Sequence, residues 1–308
     1  MTKEYPDYIW FNGKLVPFNE AKLHVLTPTC LYGINVFEGI RGYWNDEAKE
    51  LYCFRLDDHY KRLYESAKIM RFNVQYTKND LTGALLNLLK INNIKEDVQI
   101  RHSIYLDGFG SWHSTDPIGM FISCKPSGRS YGGKKSISCC ISSWERINDR
   151  SISPRIKAGS NYQNSRMAQM DAIVNGYDST IIMNKNGKVA EGPGSCIFIF
   201  RDNKLITPPI TSSILESITR DTILSLAEKE LNLQVQERDI DRTELYVAQE
   251  LFFCGTAVEI MPITSVDRIV IGNGEPGPIT NALMQKFFQI VRGKVKEYNK
   301  WLTPTYGN

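Results

Sequence analysis

The sequence predicts an α+β protein of two domains, and three observations support this class. Its 308 residues are about twice the length of a typical domain. Hydrophobic residues make up 42% of the chain and charged residues 23%, which is close to the average of globular proteins. Hairpin patterns occur in both halves and alternate with helical patterns. This arrangement favours mixed sheets over a single doubly wound parallel sheet.

The first half begins with a hairpin pattern. Residues 8–11 and 14–16 have strand character, and Asn12 and Gly13 between them form a two-residue turn signal. Further along, apolar residues recur at spacings of 4 and 3, which indicates an amphipathic helix with one buried face. The elements predicted after the hairpin are helices over 56–70 and 79–91 and strands over 98–105 and 119–124.

A segment rich in Gly, Ser, Pro and Lys separates the two halves. We predict an interdomain linker at residues 127–135, a small N-terminal domain at 1–126 and a larger domain at 136–308. The predicted elements of the second half are a strand over 136–142, hairpins with turns at 186–187 and 202–203, and helices over 219–231 and 279–298.

Composition excludes several classes of protein. The chain has 37 basic and 34 acidic residues, a balance that argues against a nucleic-acid partner. No apolar stretch approaches the roughly 20 residues of a membrane span. The seven cysteines have neither disulfide nor zinc spacing, and we expect no metal. A cytoplasmic protein is therefore expected.

The segment from Gly128 to Lys135 is similar to a nucleotide-binding phosphate loop. That loop ends in Ser or Thr and opens a helix, whereas here Lys135 takes the last position and a strand pattern follows. A flexible basic linker is the better interpretation, and a nucleotide-binding module is retained only as the non-enzymatic alternative.

Three segments could carry chemistry. Lys157, before Ala-Gly-Ser, is either a solvated lysine or a nucleophile that forms a Schiff base with an aldehyde. Glu191, before Gly-Pro-Gly, either ends a strand or holds a pyridinium nitrogen protonated. Ser217 and Thr219 are good helix caps, and the amides of a helix N-terminus can also bind a phosphate.

Four blocks in the same order resemble the fold-type IV pyridoxal-phosphate enzymes, and among them the branched-chain amino-acid aminotransferases. The resemblance extends over nearly the whole chain, and the blocks lie at residues 32–41, 157–162, 207–221 and 255–262. It implies pyridoxal 5′-phosphate as cofactor. It also implies transamination between branched-chain or related hydrophobic amino acids and 2-oxoglutarate, in a homodimer or higher homo-oligomer.

The resemblance also assigns roles to individual residues. It implies that Lys157 is the catalytic lysine that bonds the cofactor, that Glu191 faces the pyridine nitrogen, and that Tyr162 lies near the cofactor O3′. The implied phosphate ligands are Arg62, Ile218, Thr219 and Thr256. The implied substrate-binding residues are Tyr32 from the neighbouring subunit, Phe37, Arg101, Thr256 and Ala257.

Some positions depart from the family pattern. Gln99 replaces a tyrosine that helps to hold the substrate carboxylate, Ser195 and Cys196 replace Glu-Asn, and Ser217 replaces a glycine. These departures concern the substrate more than the chemistry. The alternatives of the same fold are therefore a D-amino-acid or aryl-amine aminotransferase and an aminodeoxychorismate-lyase-type enzyme.

Overall fold

The computed structural model describes residues 5–128 and 130–307, so Arg129 of the predicted linker lies outside the described part. The chain divides into two compact units. One contains the described residues up to Gly128, together with Ile156–Ser160 and those from Gln289 onward. The other contains those of 129–155 and Asn161–Phe288. The α+β class is confirmed, and no helix of the described ranges is long and apolar enough to cross a membrane.

The first unit is built on a seven-stranded antiparallel sheet in the order β16-β4-β3-β5-β6-β1-β2. Its strands are β1 (Tyr8–Phe11), β2 (Lys14–Pro17), β3 (Asn35–Asn45), β4 (Glu50–Phe54), β5 (Val98–Leu106), β6 (Ile118–Pro126) and β16 (Leu302–Pro304). Its helices are α1 (Pro28–Tyr32), α2 (Leu56–Ile69) and α3 (Lys78–Ile91), with 3₁₀ turns at Phe18–Glu20 and Lys296–Trp301.

Local sequence explains the start of this unit. Asn12 and Gly13 have positive φ angles of 47° and 88°, as the hairpin between β1 and β2 requires. Helix α2 carries Asp57 and Asp58 in its first turn, where negative charge is favourable. Helix α3 begins with a capping box between Thr77 and Asp80. The apolar faces of α2 and α3 form one core with the sheet.

The second unit contains a mixed sheet in the order β12-β11-β10-β13-β14-β7-β8-β9, with β15 paired to β14. Its strands are β7 (Ile137–Glu145), β8 (Ser179–Met183), β9 (Val189–Glu191), β10 (Cys196–Arg201), β11 (Lys204–Thr207), β12 (Gln234–Glu237), β13 (Glu250–Gly255), β14 (Glu259–Val266) and β15 (Ile269–Val270). Its helices are α4 (Asn161–Val174), α5 (Ile218–Leu231) and α6 (Arg242–Tyr246), with a 3₁₀ turn at Tyr131–Gly133, and α7 (Pro278–Val291) leads the chain back to the first unit.

The two units differ from the predicted domains in two places. Residues 156–160 group with the first unit because their backbone bonds to β3 and α2. The C-terminal segment also returns there, because β16 pairs with β4, and the units are therefore nearly equal in length. The terminal helix is shorter than the predicted 279–298, since α7 ends at Val291 and Gly293 has a φ of 71°.

Candidate active site

Lys157 lies in a short segment anchored on the edge of β3. Strand β4 pairs with β3 only from Gly42 onward, which leaves the edge near Phe37 to the segment around Lys157. The Phe37 amide donates to the Lys157 carbonyl at 2.9 Å, and the Lys157 amide donates to Ser66 Oγ of α2 at 3.1 Å. Ala158 continues the pairing as a bridge to Val36. The backbone on both sides of the lysine side chain is thereby fixed.

The ring of Phe37 contacts two cations of the first unit. The Arg101 guanidinium carbon lies 3.4 Å from the ring centroid, and Lys157 Nζ lies 5.0 Å from it. Arg101 pairs with Gly39 across the sheet, so it shares the face of Phe37, and Gln99 lies on that face two residues away. The structure therefore brings together Phe37, Arg101 and Lys157, three of the residues predicted for catalysis or substrate binding.

Arg62 is buried, and its side chain is held by a carboxylate. Its Nε and Nη2 donate to Oε1 and Oε2 of Glu38, each at 2.8 Å, and His59 Nδ1 lies 2.7 Å from Oε2. Burial raises the pKa of Glu38, but the Arg62 guanidinium and the hydrogen bonds from Arg62 and His59 outweigh it and lower the pKa to about 2. Arg62 is thus not the surface ion pair that was the alternative to a phosphate ligand.

Glu191 is the central buried carboxylate of the second unit. Arg146 Nε donates to its Oε1 at 2.9 Å, and the Leu215 amide donates to its Oε2 at 3.3 Å. Arg146 is itself held by Asn164 Oδ1 at 3.0 Å. The Arg146 cation stabilises the negative charge of Glu191, so this carboxylate can pair with a positively charged ring nitrogen.

Two predicted segments meet next to Glu191. Gly192 and Ser195 bridge across the Gly-Pro-Gly turn, and a Cβ on Gly255 would lie 3.3 Å from the Gly194 carbonyl oxygen. Only glycine at 255 allows this approach without displacing the turn. Thr256 follows directly and is half-buried, at the end of β13.

A third predicted segment is tied to the same carboxylate through Leu215. Helix α5 begins at Ile218, and Ser217 caps it by accepting from the Arg220 amide at 3.2 Å. The departure from glycine at this position therefore supplies a cap. Ile218 and Thr219 are buried and lie in the first turn, where backbone amides point out of the helix rather than to a carbonyl of the preceding turn.

The remaining predicted residues are more exposed. Tyr162 lies in the first turn of α4, is 37% exposed, and approaches Gly194, where a Cβ would lie 3.8 Å from its Cε1. Ala257 is exposed, and its carbonyl accepts from Ser130 Oγ at 2.7 Å. Tyr32 ends α1 and is 53% exposed.

Four contributors to this chemistry were not predicted: Glu38, His59, Ser66 and Arg146. A signal for two of them exists in the sequence of α2. His59, Arg62 and Ser66 each precede a residue of the apolar stripe, and all three are buried. A polar stripe beside an apolar stripe thus indicates a helix face that is buried against charged groups. Within residues 5–128 and 130–307, no cluster of His, Cys, Asp and Glu could hold a metal.

The donor set of each unit suits a pyridine aldehyde that bears a phosphate. The first unit offers an amine at Lys157 and a guanidinium at Arg62, and the second offers a buried carboxylate at Glu191 and the N-terminus of α5. An aldehyde requires the amine, a pyridinium requires the carboxylate, and a phosphate requires the guanidinium and the amides.

Comparison with known proteins gives a consistent result. A family model described as "Amino-transferase class IV" matches residues 35–266. The probable branched-chain-amino-acid aminotransferase of Aquifex aeolicus is 41% identical over 304 residues, which is 97% of this chain and 97% of that protein.

Solved structures agree in both sequence and fold. The branched-chain amino acid aminotransferase of Thermobaculum terrenum in its PLP form has a TM-score of 0.93 and 44% identity, covering 98% of this chain and 99% of that one. A second such aminotransferase, from the source abbreviated T.th., is complexed with N-(5′-phosphopyridoxyl)-L-glutamate. It has a TM-score of 0.92 and 34% identity, covering 98% of this chain and 99% of that one.

Proposed function

This chain belongs to the class IV aminotransferases, and from that premise we propose that it exchanges amino groups between branched-chain amino acids and 2-oxoglutarate. The donors are leucine, isoleucine, valine or related hydrophobic amino acids, and the products are their 2-oxo acids and glutamate. The cofactor is pyridoxal 5′-phosphate. The observation that carries the proposal is the Phe37 ring, which contacts both the catalytic lysine Lys157 and the cation of Arg101.

Pyridoxal phosphate supplies an aldehyde that bonds an amine and a pyridine ring that accepts electrons from the substrate Cα. Lys157 holds the aldehyde carbon when no substrate is present, and its Nζ takes and returns the proton of the substrate Cα. Glu191, held by Arg146 and the Leu215 amide, keeps a proton on the pyridine nitrogen. Arg62, the first-turn amides of α5 and the Thr256 hydroxyl bind the phosphate, and Tyr162 donates to O3′.

The substrate specificity follows from the face of the sheet that carries Phe37. Its ring offers an apolar surface to an aliphatic side chain, and Arg101 offers a charge-assisted contact to the acidic side chain of glutamate. The amides of Thr256 and Ala257 bind the substrate α-carboxylate. The relative complexed with N-(5′-phosphopyridoxyl)-L-glutamate supports glutamate as one of the two substrates.

The first test compares amino donors and the catalytic lysine. Purified enzyme should release 2-oxo acid fastest from leucine, isoleucine and valine, whereas preference for D-amino acids, aryl amines or an elimination product would favour one of the alternatives. Lys157→Ala should abolish turnover and leave the fold intact, while Lys61→Ala, on the exposed side of α2, should change neither. Borohydride should attach the cofactor to the peptide that contains Lys157, and attachment at another lysine would contradict the assignment.

We also propose that the enzyme is a homodimer or a higher homo-oligomer. An exposed group of large apolar side chains in the first unit supports this, and we name it the apolar patch: Val25, Leu26, Leu31, Tyr32, Phe109 and Trp112. It is continuous, because Phe109 packs 5.0 Å from His24 and one cavity is lined by both Tyr32 and Trp112. Such patches are typical of protein–protein contacts. In the assembly, Tyr32 would serve the site of the partner.

A cytoplasmic location completes the proposal. The chain carries seven cysteines, six of which are buried or partly buried, and thiols of this kind persist in a reducing compartment. Fractionation of the native host, with the enzyme followed by its transaminase activity, would test this location.

A further inference from the structure

The first unit buries an ionic cluster on the face of its sheet that otherwise forms the apolar core. Glu38 is fully buried, and His59 and Arg62 are 1% and 8% exposed. On the same face of β3, the neighbours of Glu38 are Val36 and Ile40, both core residues. Three polar side chains thus lie where the sheet pattern calls for apolar ones.

The charges of this cluster cancel. Glu38 is ionised, since its pKa is lowered to about 2, and Arg62 carries the compensating positive charge. Burial lowers the pKa of His59 below its usual value despite the carboxylate beside it, so the imidazole is neutral at pH 7 and donates from Nδ1. A buried neutral cluster of this kind gives little net stability compared with apolar side chains of the same size.

The geometry of the cluster fixes the plane of one guanidinium. Glu38 engages the Nε and Nη2 edge of Arg62 through two parallel hydrogen bonds of 2.8 Å, which is a fork that leaves little rotational freedom. His59 in turn fixes the carboxylate from the other side. Any further acceptor for Arg62 must therefore approach from the Nη1 side.

We propose that Glu38, supported by His59, is a positioning residue that orients Arg62 toward the cofactor phosphate. This inference rests on the proposed function, because it takes Arg62 as a phosphate ligand. Glu38 itself does not touch the cofactor. It acts through the guanidinium, and its negative charge alone would weaken the attraction between Arg62 and a phosphate.

That opposition of signs gives a decisive measurement, the affinity for pyridoxal phosphate compared with that for pyridoxal. Glu38→Gln removes a negative charge, which by Coulomb's law alone would tighten phosphate binding. If positioning dominates, the Kd for pyridoxal phosphate should instead rise about tenfold or more, while the Kd for pyridoxal changes less than about twofold. Unchanged or tighter binding of pyridoxal phosphate, or an equal loss for both ligands, would overturn the proposal.

A double-mutant cycle shows whether Glu38 acts through Arg62. In an Arg62→Gln background, Glu38→Gln should cost no further affinity for pyridoxal phosphate, because there is no guanidinium left to orient. Additive losses would contradict the proposal. The neutral pair of amides in the double variant also leaves no uncompensated buried charge, which protects the measurement if Glu38→Gln alone folds poorly.

Three further variants complete the design. His59→Leu should weaken pyridoxal phosphate binding a few-fold, and His59→Asn, which keeps a donor, should restore it; equal effects of the two would argue against the supporting role. Glu65→Gln removes an exposed carboxylate of the same helix and should change nothing. If Arg62→Gln alone leaves the preference for pyridoxal phosphate over pyridoxal intact, Arg62 is not the phosphate ligand. If only the Glu38 variants fail to respond, the error lies in this inference.

Discussion

Two histidines flank the buried carboxylate of Glu38, and their hydrogen bonding differs. His59 Nδ1 lies 2.7 Å from the carboxylate, whereas His102 faces Glu38 across the strand pair and is fully buried. Within the described ranges, neither ring nitrogen of His102 has a hydrogen-bond partner. Its ring contacts Trp10 and Tyr60 edge-on instead. An imidazole buried in this way costs roughly 1–3 kcal/mol of desolvation.

Replacing His102 should therefore stabilise the protein. We expect His102→Leu to raise the free energy of unfolding at pH 7 by about 1–2 kcal/mol, because an apolar side chain suits this part of the core. Urea unfolding followed by circular dichroism measures the change. His113→Leu, at an exposed loop histidine, serves as the control and should have no effect.

The same substitution should change the pH dependence of stability. Burial lowers the pKa of His102 to about 3, with Glu38 acting in the opposite direction, so the unfolded chain binds a proton below pH 6.5 that the folded chain does not. Stability is thus complete above pH 6.5 and falls on acidification, by up to about 1.4 kcal/mol per pH unit for one histidine. His59 acts in the same direction. His102→Leu should therefore roughly halve the slope between pH 5 and 6, and an unchanged slope would refute this account.

Arg101 carries the second prediction at this scale. Arg101→Ala should lower kcat/KM for glutamate or 2-oxoglutarate by about 10- to 100-fold, equivalent to about 1.4–2.8 kcal/mol, because a charge-assisted contact is lost. The leucine half-reaction should hardly change. Lys125→Ala removes another cation of the same sheet, whose amine lies over the Tyr5 ring, and should alter neither half-reaction.

Single-turnover measurements of both half-reactions distinguish the alternatives for Arg101. Gln99 lies on the same face and replaces a tyrosine, so the α-carboxylate could have moved to Arg101. In that case both half-reactions would fall together, as expected for an enzyme built like the D-amino-acid relatives. No change in either would place Arg101 outside the site.

At the scale of elements, helix α2 holds two parts of the site with one face. His59, Arg62 and Ser66 follow one another at spacings of 3 and 4, so the helix that presents Arg62 also bonds the Lys157 amide through Ser66. The register of α2 against β3 therefore sets the position of both the guanidinium and the lysine backbone within the first unit.

This connection predicts the effect of Ser66→Ala. The Lys157 amide would lose its acceptor at 3.1 Å, which should destabilise the fold by about 1 kcal/mol and lower kcat severalfold because the lysine is less firmly placed. Stopped-flow measurement of the leucine half-reaction tests the kinetic part. Thr82→Ala removes a hydroxyl bonded within α3 and should leave kcat unchanged, whereas an unaffected rate in Ser66→Ala would show that the bond is only structural.

Elements with strong local signals could be predicted from sequence, and those without could not. The hairpins at 12–13, 186–187 and 202–203 and the helices α2, α3 and α5 form where turn residues or apolar spacing indicate them. Helix α4 escaped because its buried face is small or polar, with Ala168 and Ala172, while Met167 and Met170 are exposed. Strand β3 is buried on both faces and therefore shows no alternation.

At the scale of the whole molecule, the family and its chemistry could be predicted from motifs, but the supporting contacts could not. Glu38 lies 21 residues from His59, and Arg146 lies 45 from Glu191, so no local pattern connects them. The return of residues 156–160 to the first unit likewise depends on backbone bonds to β3 and has no compositional signal. The roles of the cofactor and substrate residues stay predictions until the variants are measured.

The assembly is the last property of the whole molecule to test, and the apolar patch makes the prediction specific. Phe109→Lys and Trp112→Lys, at residues that are 75% and 68% exposed, should each weaken association by about 2 kcal/mol, since aromatic anchors dominate such interfaces. Light scattering should then show monomers at micromolar concentration. Activity should fall with dissociation, because Tyr32 would no longer reach the site of the partner, and should recover as the protein concentration rises.

A matched control separates this effect from general surface damage. Val247→Lys changes an apolar residue of the second unit that is 61% exposed and lies outside the apolar patch, so it should leave both mass and activity unchanged. If the patch variants keep the mass of the parent protein, the patch is not the interface. If they dissociate but stay fully active at every concentration, each chain carries a complete site, and Tyr32 serves its own subunit.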